Sequence, residues 1–306
     1  MHNVEEAGLA WGGLAGAPRL INERENAVYE AVLHDGDRVA LRLHRTGYQS
    51  QEAIRSELVW TAALADQGFP CPRPVPCTDG ALVHCLASGQ LASVVSWIDA
   101  APIGESGVPF AGTIEQHLDQ MQGLGRLIRK MHDLTDAMDT SELVRPRWDL
   151  DGLLGETPHW GRFWLNPSLT EKERSMVLEA RKNAAQQLFE NKGLREGLIH
   201  ADLLQENVLQ DAQGLHVIDF DDSGFGYHLF DLGTALIQHA EHPQLPALSA
   251  ALCDGYGDGH RLMPLFMMLR SMASAGWIML RAAPNDSRQR FYAERMLHCV
   301  KNFQAA

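Results

Sequence analysis

Asp202, Asn207 and Asp219 are the residues whose types and spacing could do chemistry. The first two belong to the pattern His200-x-Asp202-x4-Asn207, and the third follows Val217-Ile218. In phosphoryl transfer, one carboxylate orients the attacking hydroxyl and accepts its proton, while an amide oxygen and a second carboxylate hold Mg²⁺ on the nucleotide phosphates. Mg²⁺ prefers oxygen ligands and takes few of them from the protein. The pattern therefore predicts Asp202 as the general base and Asn207 and Asp219 as Mg²⁺ ligands.

Short strands must position these residues. Apolar runs at 198–199 and 208–209 flank the polar loop, and Asp211-Ala-Gln-Gly214 separates the second run from a third at 215–218. A turn sequence between two apolar runs predicts a β-hairpin. The three polar residues would then converge at one end of a small ribbon. A loop of solvated acids with an Asx turn is the alternative, because the spacing pattern alone is weak.

The same residues carry a family resemblance. His200-x-Asp202-x4-Asn207, followed by Ile218-Asp219-Phe220, resembles the catalytic loop and metal-binding segment of the aminoglycoside phosphotransferase and choline kinase family. The resemblance implies ATP and Mg²⁺ as cofactors and a hydroxyl of a small molecule as the phosphoryl acceptor. Leu204 departs from the family, which often has a polar residue there. This departure puts in doubt any direct stabilisation of the transferring phosphoryl group from that position.

The fold that the resemblance implies is α+β, a bilobal protein-kinase-like fold. Its N-lobe would be a small antiparallel sheet with one helix, and its C-lobe would be larger and mainly helical. Five short strands and one helix are predicted before residue 98, and helical patterns dominate afterwards. We therefore place the nucleotide-binding lobe at residues 1–98 and the catalytic and substrate-binding lobe at residues 99–306.

Arg42 and Glu57 are a predicted pair. Arg42 lies in the predicted strand Val39–Leu43, on the face opposite the apolar side chains, and a cation on a buried face needs a partner. Glu57 lies at the edge of the inward stripe of the next helix, which Ser50 can cap. In the resembled family a strand cation pairs with a helix Glu and touches the α- and β-phosphates. The alternative is an exposed Arg and an exposed helix Glu.

Two further segments match nucleotide-binding positions of the family. The loop Asn22–Tyr29 corresponds to the phosphate-covering loop and is similar to a form seen in homoserine-kinase-like members. It contains no glycine, so the N–H groups of Asn26 and Ala27 would meet phosphate with less room. An ordinary strand-entry turn is the alternative for this loop. The family's hinge, whose backbone hydrogen-bonds adenine, falls at Trp97 and Ile98.

Acids and aromatic residues between two long predicted helices are candidates for substrate binding. In small-molecule kinases of this group, substrate-shaping segments fall in such an insertion. Asp149 and Trp160 could hold an amine by ion-pair and cation–π contacts. The alternative is that the tryptophans anchor an irregular loop on the core. Asp222 and Tyr227 follow the predicted metal ligand Asp219 and would face the same opening of the active site.

Histidines near the motif are predicted to be structural. His200 is predicted together with Asp202 as a residue of the catalytic site, where it would brace the loop by hydrogen bonds. Acting as a proton carrier is the alternative, for which Asp202 is better placed. Phe230-Asp231-Leu232 resembles the segment of the family in which a buried Asp accepts backbone N–H groups from that loop. His239 and His242 lack a further ligand at metal spacing.

Composition limits the partners. The chain of 306 residues carries 26 Lys and Arg against 39 Asp and Glu, a net charge of −13 that disfavours nucleic acid or an anionic membrane as the main partner. Five cysteines without paired spacing indicate free thiols in a reducing cytoplasm. The N-terminus has no signal-peptide pattern. The apolar run Met263–Ala283 contains Arg270 and Arg281, so it is predicted to be a buried helix.

Three functions are compatible with these patterns. The first is an ATP-dependent kinase of a small hydroxyl compound, such as an amino alcohol, a hydroxy amino acid or an aminoglycoside. An atypical Ser/Thr protein kinase is the second, and the absence of an Ala-Pro-Glu end to an activation segment weighs against it. A nucleotide-binding pseudokinase is the third, and the complete set of catalytic residues argues against it.

Overall fold

A computed structural model describes residues 2–23 and 26–306 of the chain, and of His2 only its main chain. The chain divides into two compact units. The first comprises the residues up to Ala101 together with Thr140–Arg145 and Asp211–Asp221, and the second comprises Pro102–Asp139, Pro146–Gln210 and Asp222–Ala306. Two short segments beyond residue 98 thus pack in the first unit. The assignment of a nucleotide-binding and a catalytic lobe stays a prediction.

The first unit is built on a five-stranded antiparallel sheet with the order β1-β2-β3-β5-β4. Its strands are β1 (Arg19–Glu23), β2 (Ala27–Val32), β3 (Arg38–Leu43), β4 (His84–Cys85) and β5 (Leu91–Ser96). Its helices are α1 (His2–Leu9) and α2 (Gln51–Asp66). The short β2–β3 connection contains Asp35-Gly36, where Gly36 has φ +98°, a value that favours glycine. This turn produces the hairpin that the sequence predicted.

Helix α1 was not predicted, and it gives the first unit a second helix. Alternate side chains of β3 point to one face of the sheet, where Val39, Leu41 and Leu43 are buried. Val4 of α1 and the nearby Trp11 belong to the same buried cluster. An apolar sheet face must be buried against another element. Helix α1 and Trp11 bury the apolar face of β3.

Helix α2 covers the opposite face of the sheet. Its N-cap is Ser50, whose Oγ accepts a hydrogen bond from Ala53 N at 3.2 Å, as predicted. Ile54 and Leu58 are buried and pack with Val83. Because α2 lies on the face that carries Arg42, the side chains of that face meet the helix and not the α1 cluster.

Mainly helical structure follows in the second unit. From Ala101 onward the strands are β6 (Ala101–Pro102), β7 (Arg147–Trp148), β8 (Glu196–Ile199), β9 (Val208–Asp211), β10 (Gly214–Val217) and β11 (Gly224–Tyr227). Of these, β10 lies in the first unit. The helices are α3 (Ile114–Asp136), α4 (Leu150–Leu154), α5 (Glu171–Glu190), α6 (His228–Leu236), α7 (Leu245–Tyr256), α8 (Met263–Trp277) and α9 (Ser287–Ala305). Thr113 and Thr170 begin α3 and α5 with complete capping boxes, as the sequence predicted.

A small sheet and a closely packed helix pair frame the second unit. Strand β11 pairs parallel to β7 and antiparallel to β8. Helices α3 and α7 approach closely at Gly125 and Gly255. A Cβ atom at Gly125 would lie 2.1 Å from the carbonyl oxygen of Leu252, and one at Gly255 would lie 2.1 Å from that of Gln122. Glycine is therefore required at both crossing points.

Helix α8 lies in the core of the second unit. The stretch His260–Leu280 is long and apolar enough to cross a membrane, with a mean hydropathy of 1.3, but 78% of it is buried inside the protein. This burial confirms the predicted core helix. Arg270, in the middle of α8, is buried with the rest.

Candidate active site

The loop that follows β8 is held at its first two residues by hydrogen bonds to Asp231 of α6. One carboxylate oxygen accepts a hydrogen bond from His200 N at 2.9 Å, and the other accepts one from Ala201 N at 2.7 Å. Asp231 is fully buried, and His132 Nε2 lies 3.0 Å from its Oδ2. Burial alone would raise the pKa of Asp231, but the hydrogen bond and charge of His132 and the contacts with His200 outweigh burial and lower it. Asp231 thus makes the contacts that the sequence predicted.

Ala201 has an unusual backbone at the start of this loop. Its φ is +66°, in the left-handed region that non-glycine residues adopt at a cost of about 1–2 kcal/mol. The hydrogen bond from Ala201 N to Asp231 compensates for part of that strain. The turn brings Asp202 N to 3.2 Å from His200 Nδ1, so the ring of His200 braces the loop as predicted.

Two side chains hold the carboxylate of Asp202, in addition to the contact of its main chain with His200. Asn207 Nδ2 donates to Asp202 O at 2.8 Å and to its Oδ2 at 3.0 Å. Arg270 Nη2 donates to Asp202 Oδ1 at 2.6 Å. The side chain of Asp202 nevertheless remains 20% exposed. Asp202 is therefore both oriented and accessible, which a general base requires.

Arg270 was missed as a site residue. The sequence showed it only as a charge that interrupts an apolar helix. A charge in the middle of a buried helix is costly unless it is paired, and its partner here is Asp202. That cost was the signal that could have identified Arg270, although the sequence does not show which acid it meets.

Asn207 can serve as a metal ligand through one atom. Its Nδ2 group donates both of its hydrogen bonds to Asp202, which leaves Oδ1 as the ligand atom. Amide oxygens are among the donors that Mg²⁺ accepts. Among residues 2–23 and 26–306 there is no group of three or more His, Cys, Asp or Glu residues able to hold a metal. A role of Asn207 at a metal stays a prediction.

Arg42 and Glu57 form the predicted ion pair within the first unit. Arg42 Nη1 donates to Glu57 Oε1 at 2.8 Å, and the side chain of Glu57 is only 3% exposed. Arg42 Nη2 also lies 3.5 Å from Asp219 Oδ1. Burial lowers the pKa of Arg42, but the charges of Glu57, Asp219 and Asp221 outweigh burial and raise it above its ordinary value. Arg42 is thus a permanently charged group shared between acids.

Asp219 is held by contacts that the sequence did not reveal. It has φ +63° and follows β10, which ends at Val217, two residues earlier than predicted. Arg145 donates hydrogen bonds to Gln49 Oε1 at 3.0 Å and to the carbonyl oxygen of Phe220 at 3.3 Å. It also donates to the carbonyl oxygen of Asp221. Arg145 therefore fixes the segment that carries Asp219 next to the start of α2.

The predicted nucleotide residues lie at the ends of strands in the first unit. Asn26 is buried, and its Oδ1 accepts a hydrogen bond from Arg45 N at 3.0 Å. Ala27 begins β2 and pairs with Leu43. Of the predicted phosphate-covering loop, Arg24 and Glu25 lie outside the described residues. Roles for Asn26 and Ala27 at phosphate stay predictions.

The predicted hinge follows β5. Trp97 N donates to the carbonyl oxygen of Arg38 at 3.1 Å, and the guanidinium of Arg38 lies 4.6 Å from the centroid of the Trp97 ring. This hydrogen bond uses the N–H group of Trp97. Ile98 is half-buried. Their predicted contact with adenine would therefore use the carbonyl group of Trp97 and the main chain of Ile98.

Asp149 and Trp160 make intramolecular contacts in the second unit. Asp149 caps α4 by accepting a hydrogen bond from Gly152 N at 2.9 Å, and it pairs with Arg147 at 2.5 Å. Burial would raise the pKa of Asp149, but these contacts outweigh it and lower the pKa. The Trp160 ring lies 4.7 Å from the guanidinium of Arg270. The cation that stacks on Trp160 in this structure is therefore the protein's own arginine.

Trp148 anchors the segment on the core, as the alternative interpretation of the tryptophans expected. It is fully buried, its ring stacks on Phe230 at 5.4 Å, and its Nε1 donates to Asp222 O at 2.9 Å.

Tyr227 is buried, and burial raises the pKa of its hydroxyl to about 12. Asp222 and Tyr227 therefore lie on either end of β11, and their roles toward a substrate stay predictions.

The structure thus brings the predicted residues together in two sets. Within the first unit, Arg42 contacts Glu57 and Asp219. Within the second, Asp202 contacts His200 and Asn207, and Asp231 holds their loop. Each set has the donors and charges that nucleotide binding and phosphoryl transfer require.

Comparison with known proteins identifies the family. Residues 18–266 match the APH phosphotransferase enzyme family, and the chain therefore belongs to that family. Amicoumacin kinase of Bacillus subtilis (strain 168) is 24% identical over 277 residues, which cover 87% of this chain and 79% of that enzyme. Homoserine kinase of Methylobacillus glycogenes is 29% identical over 174 residues, 56% of this chain and 48% of that enzyme.

A solved structure extends the similarity to the whole fold. The microcompartment-associated aminopropanol kinase superposes with a TM-score of 0.81 at 27% identity, and the match covers 99% of this chain and 95% of that one. The predicted α+β protein-kinase-like fold is thereby confirmed. The family and its named kinases also confirm the predicted class of enzyme, a small-molecule kinase.

Proposed function

We propose that this chain transfers the γ-phosphoryl group of ATP to a hydroxyl group of a small molecule, with Asp202 as the general base. The observation that carries the proposal is the position of Asp202, which His200, Asn207 and Arg270 orient while its side chain remains 20% exposed. A neutral alcohol is a poor nucleophile. A carboxylate held at a fixed place can orient the hydroxyl and accept its proton as the phosphoryl group is transferred.

Residues of the first unit are proposed to bind the nucleotide, which makes residues 1–98 the nucleotide-binding lobe and 99–306 the catalytic lobe. Arg42, held by Glu57, would contact the α- and β-phosphates. Asn26 and Ala27 would present main-chain N–H groups to phosphate, and Trp97 and Ile98 would contact adenine. The structure of an amicoumacin kinase with the same fold holds AMP-PNP and Ca²⁺. A nucleotide together with a divalent cation is therefore a reasonable ligand pair for this chain.

We propose Mg²⁺ as the cation, with Oδ1 of Asn207 and the carboxylate of Asp219 as its protein ligands. Such an ion neutralises charge on the phosphate oxygens. Asn207 would serve two purposes, since its Nδ2 group donates to Asp202 while its Oδ1 would bind the metal. Asp219, with 49% of its side chain exposed, can reach a ligand outside the protein surface.

The acceptor is proposed to be a small hydroxyl compound in the cytoplasm. The named relatives act on amicoumacin, homoserine and aminopropanol according to their names, and homoserine and aminopropanol each carry a hydroxyl and an amine. Asp222, Asp149, Trp160 and Tyr227 are the proposed contacts with the acceptor.

An acceptor screen tests the proposed function. ADP release would be measured with Mg·ATP over amino alcohols, hydroxy amino acids and aminoglycosides, with a peptide panel in parallel, and the phosphorylated product would be identified by ³¹P NMR. We expect turnover with at least one small molecule and loss of that turnover in Asp202→Asn. Turnover confined to peptides would favour a protein kinase. Nucleotide binding without transfer to any acceptor would favour a pseudokinase and contradict the proposal.

A further inference from the structure

The guanidinium of Arg270 has more hydrogen-bond donors than the protein satisfies. An arginine carries five N–H donors on its guanidinium group. Nη2 donates to Asp202 at 2.6 Å, but Nε and Nη1 are buried and have no acceptor in the part of the chain that the structure describes. The side chain is only 4% exposed. Buried donors without partners are uncommon in proteins, because each costs about 1–3 kcal/mol.

Trp160 adds a further donor beside this guanidinium. Its ring is 6% exposed and lies 4.7 Å from Arg270, a distance at which stacking fixes the plane of the guanidinium. The indole Nε1 of Trp160 is also buried and has no acceptor among the described residues. Two stacked side chains next to Asp202 thus present unpaired N–H groups, all of them donors.

Arg295 of α9 is a second arginine whose charge is felt at this site. Burial lowers the pKa of Arg295, and the charge of Arg270 lowers it further. Arg295 Nε is buried and lacks an acceptor among residues 2–23 and 26–306. Asp202 is the carboxylate that pairs with Arg270.

We infer that Arg270 and Trp160 bind a carboxylate of the phosphoryl acceptor, so that the acceptor is a hydroxy acid or hydroxy amino acid. This inference rests on the proposed function, because it assigns the group that lies beside the hydroxyl at Asp202. Arginine forms a fork that matches the geometry of a carboxylate. The acceptor's hydroxyl would meet Asp202 while its carboxylate meets the remaining donors of Arg270 a few ångströms away.

A phosphate oxygen could satisfy the same donors, because both groups are oxyanions. The acceptor is favoured as the source because Trp160 lies in the segment between two long helices, and its indole N–H would then contact the same ligand. A role of Arg270 at the transferring phosphoryl group would affect every acceptor equally. A role at an acceptor carboxylate would affect only acceptors that have one, and this difference can be measured.

The experiment compares homoserine with 3-amino-1-propanol, which has the same hydroxyl and amine but no carboxylate. We expect kcat/KM to be higher for homoserine by about 10²-fold or more, since a site built for a polar group rejects the analogue that lacks it. In Arg270→Gln the ratio of the two kcat/KM values should fall to near one. The ratio cancels the loss that both acceptors suffer when Asp202 loses its partner.

Trp160→Phe provides a milder variant that keeps an aromatic ring for Arg270 and removes only the N–H group. Its homoserine preference should fall by about tenfold to a hundredfold, the value of one hydrogen bond to a charged group. Trp164→Phe is the matched control, because Trp164 stacks on Arg181 at 4.2 Å, and its preference should not change. An equal loss for both acceptors in Arg270→Gln would assign Arg270 to the phosphoryl group and overturn the inference.

Equilibrium binding separates this inference from the proposed function. 2-Aminobutyrate, which is homoserine without the hydroxyl, should bind to the wild type in calorimetry, and propylamine should bind far more weakly. Binding of 2-aminobutyrate should be lost in Arg270→Gln while circular dichroism shows a folded protein. If no acceptor is phosphorylated but the acid still binds through Arg270, the proposed function fails and the carboxylate site stands. If amines are phosphorylated and the acid does not bind, the proposed function stands and the carboxylate site is refuted.

Discussion

Arg42 Nη1 and Glu57 Oε1 are joined by a hydrogen bond of 2.8 Å inside the first unit, where the side chain of Arg42 is 12% exposed and that of Glu57 is 3% exposed. Neither charge could be buried there alone. The pair therefore places a fixed cation on β3 whose remaining donors can face an anionic ligand. The sequence predicted this pairing from the position of a strand cation opposite a helix acid.

Glu57→Gln should destabilise the protein and weaken nucleotide binding. The substitution leaves Arg42 buried without its main partner, and loss of one member of a buried pair costs about 3–5 kcal/mol. We expect a loss of stability near the lower end of this range, because Asp219 still lies 3.5 Å from Arg42 and partly balances its charge. Urea unfolding and the KM for ATP measure the two effects. Glu52→Gln, on the exposed side of α2, is the control and should change stability by no more than about 0.5 kcal/mol. Equal stability of the two variants would contradict the prediction.

Asp202→Asn should reduce phosphoryl transfer without reducing nucleotide affinity. The amide keeps the size and a hydrogen-bonding oxygen of Asp202 but lacks the charge and basicity, so kcat should fall by about 10²-fold or more. Steady-state kinetics and calorimetry with a nonhydrolysable ATP analogue separate the two quantities. Asp211→Asn, at the last residue of β9, is the control. A parallel loss of affinity and turnover would indicate a structural role for Asp202.

Asp219→Ala should abolish Mg²⁺-dependent turnover, because it removes a carboxylate proposed to bind the metal. Asn207→Ala should weaken turnover strongly and also lower kcat at saturating Mg²⁺, since Asn207 Nδ2 orients Asp202. A Mg²⁺ titration at fixed ATP distinguishes a raised metal requirement from a lowered maximum. Unchanged turnover of Asp219→Ala at saturating Mg·ATP would refute its assignment as a ligand.

The free energy of unfolding should fall as the pH falls from about 6.5 to about 4. Burial, with the charges of His117 and His242, lowers the pKa of His239 to about 4, and burial with the charge of His132 lowers that of His228 to about 3. The unfolded chain binds these protons first, at its ordinary pKa near 6.5, so the folded state loses stability across this window. For His239 the loss can reach about 3 kcal/mol.

Urea unfolding at a series of pH values measures this effect. His239→Gln removes one of the titrating groups, so its stability should decline less steeply with falling pH than that of the wild type. An equal slope for the two proteins between pH 6.5 and pH 4 would show that His239 does not titrate as the structure indicates.

The sequence predicted the elements whose causes are local. Capping boxes at Thr113 and Thr170, the Asp35-Gly36 turn and the apolar stripe of α2 are each determined by residues a few positions apart. Helix α1 was missed because it has only eight residues, and it is held by packing on the sheet. Short helices of this kind depend on tertiary contacts for most of their stability.

Contacts between distant parts of the chain explain what the sequence could not predict at the site. Arg270 meets Asp202 across 68 positions, and Arg145 meets Gln49 across 96. Either arginine could have paired with any of many acids or carbonyl groups in an acidic chain. The residues of the catalytic loop were predicted because their spacing alone defines them, whereas the side chains that hold the loop come from other helices.

The attachment of the loop to Asp231 has a consequence for heat inactivation and hydrogen exchange. The amide protons of His200 and Ala201 are bound to a fully buried carboxylate on α6, so they should exchange with solvent at the slow rate of an interior helix and not at that of a surface loop. The loop cannot loosen while α6 keeps its place. Loss of activity on heating and loss of the helical core would then be one event, with no temperature range in which the enzyme is folded but inactive.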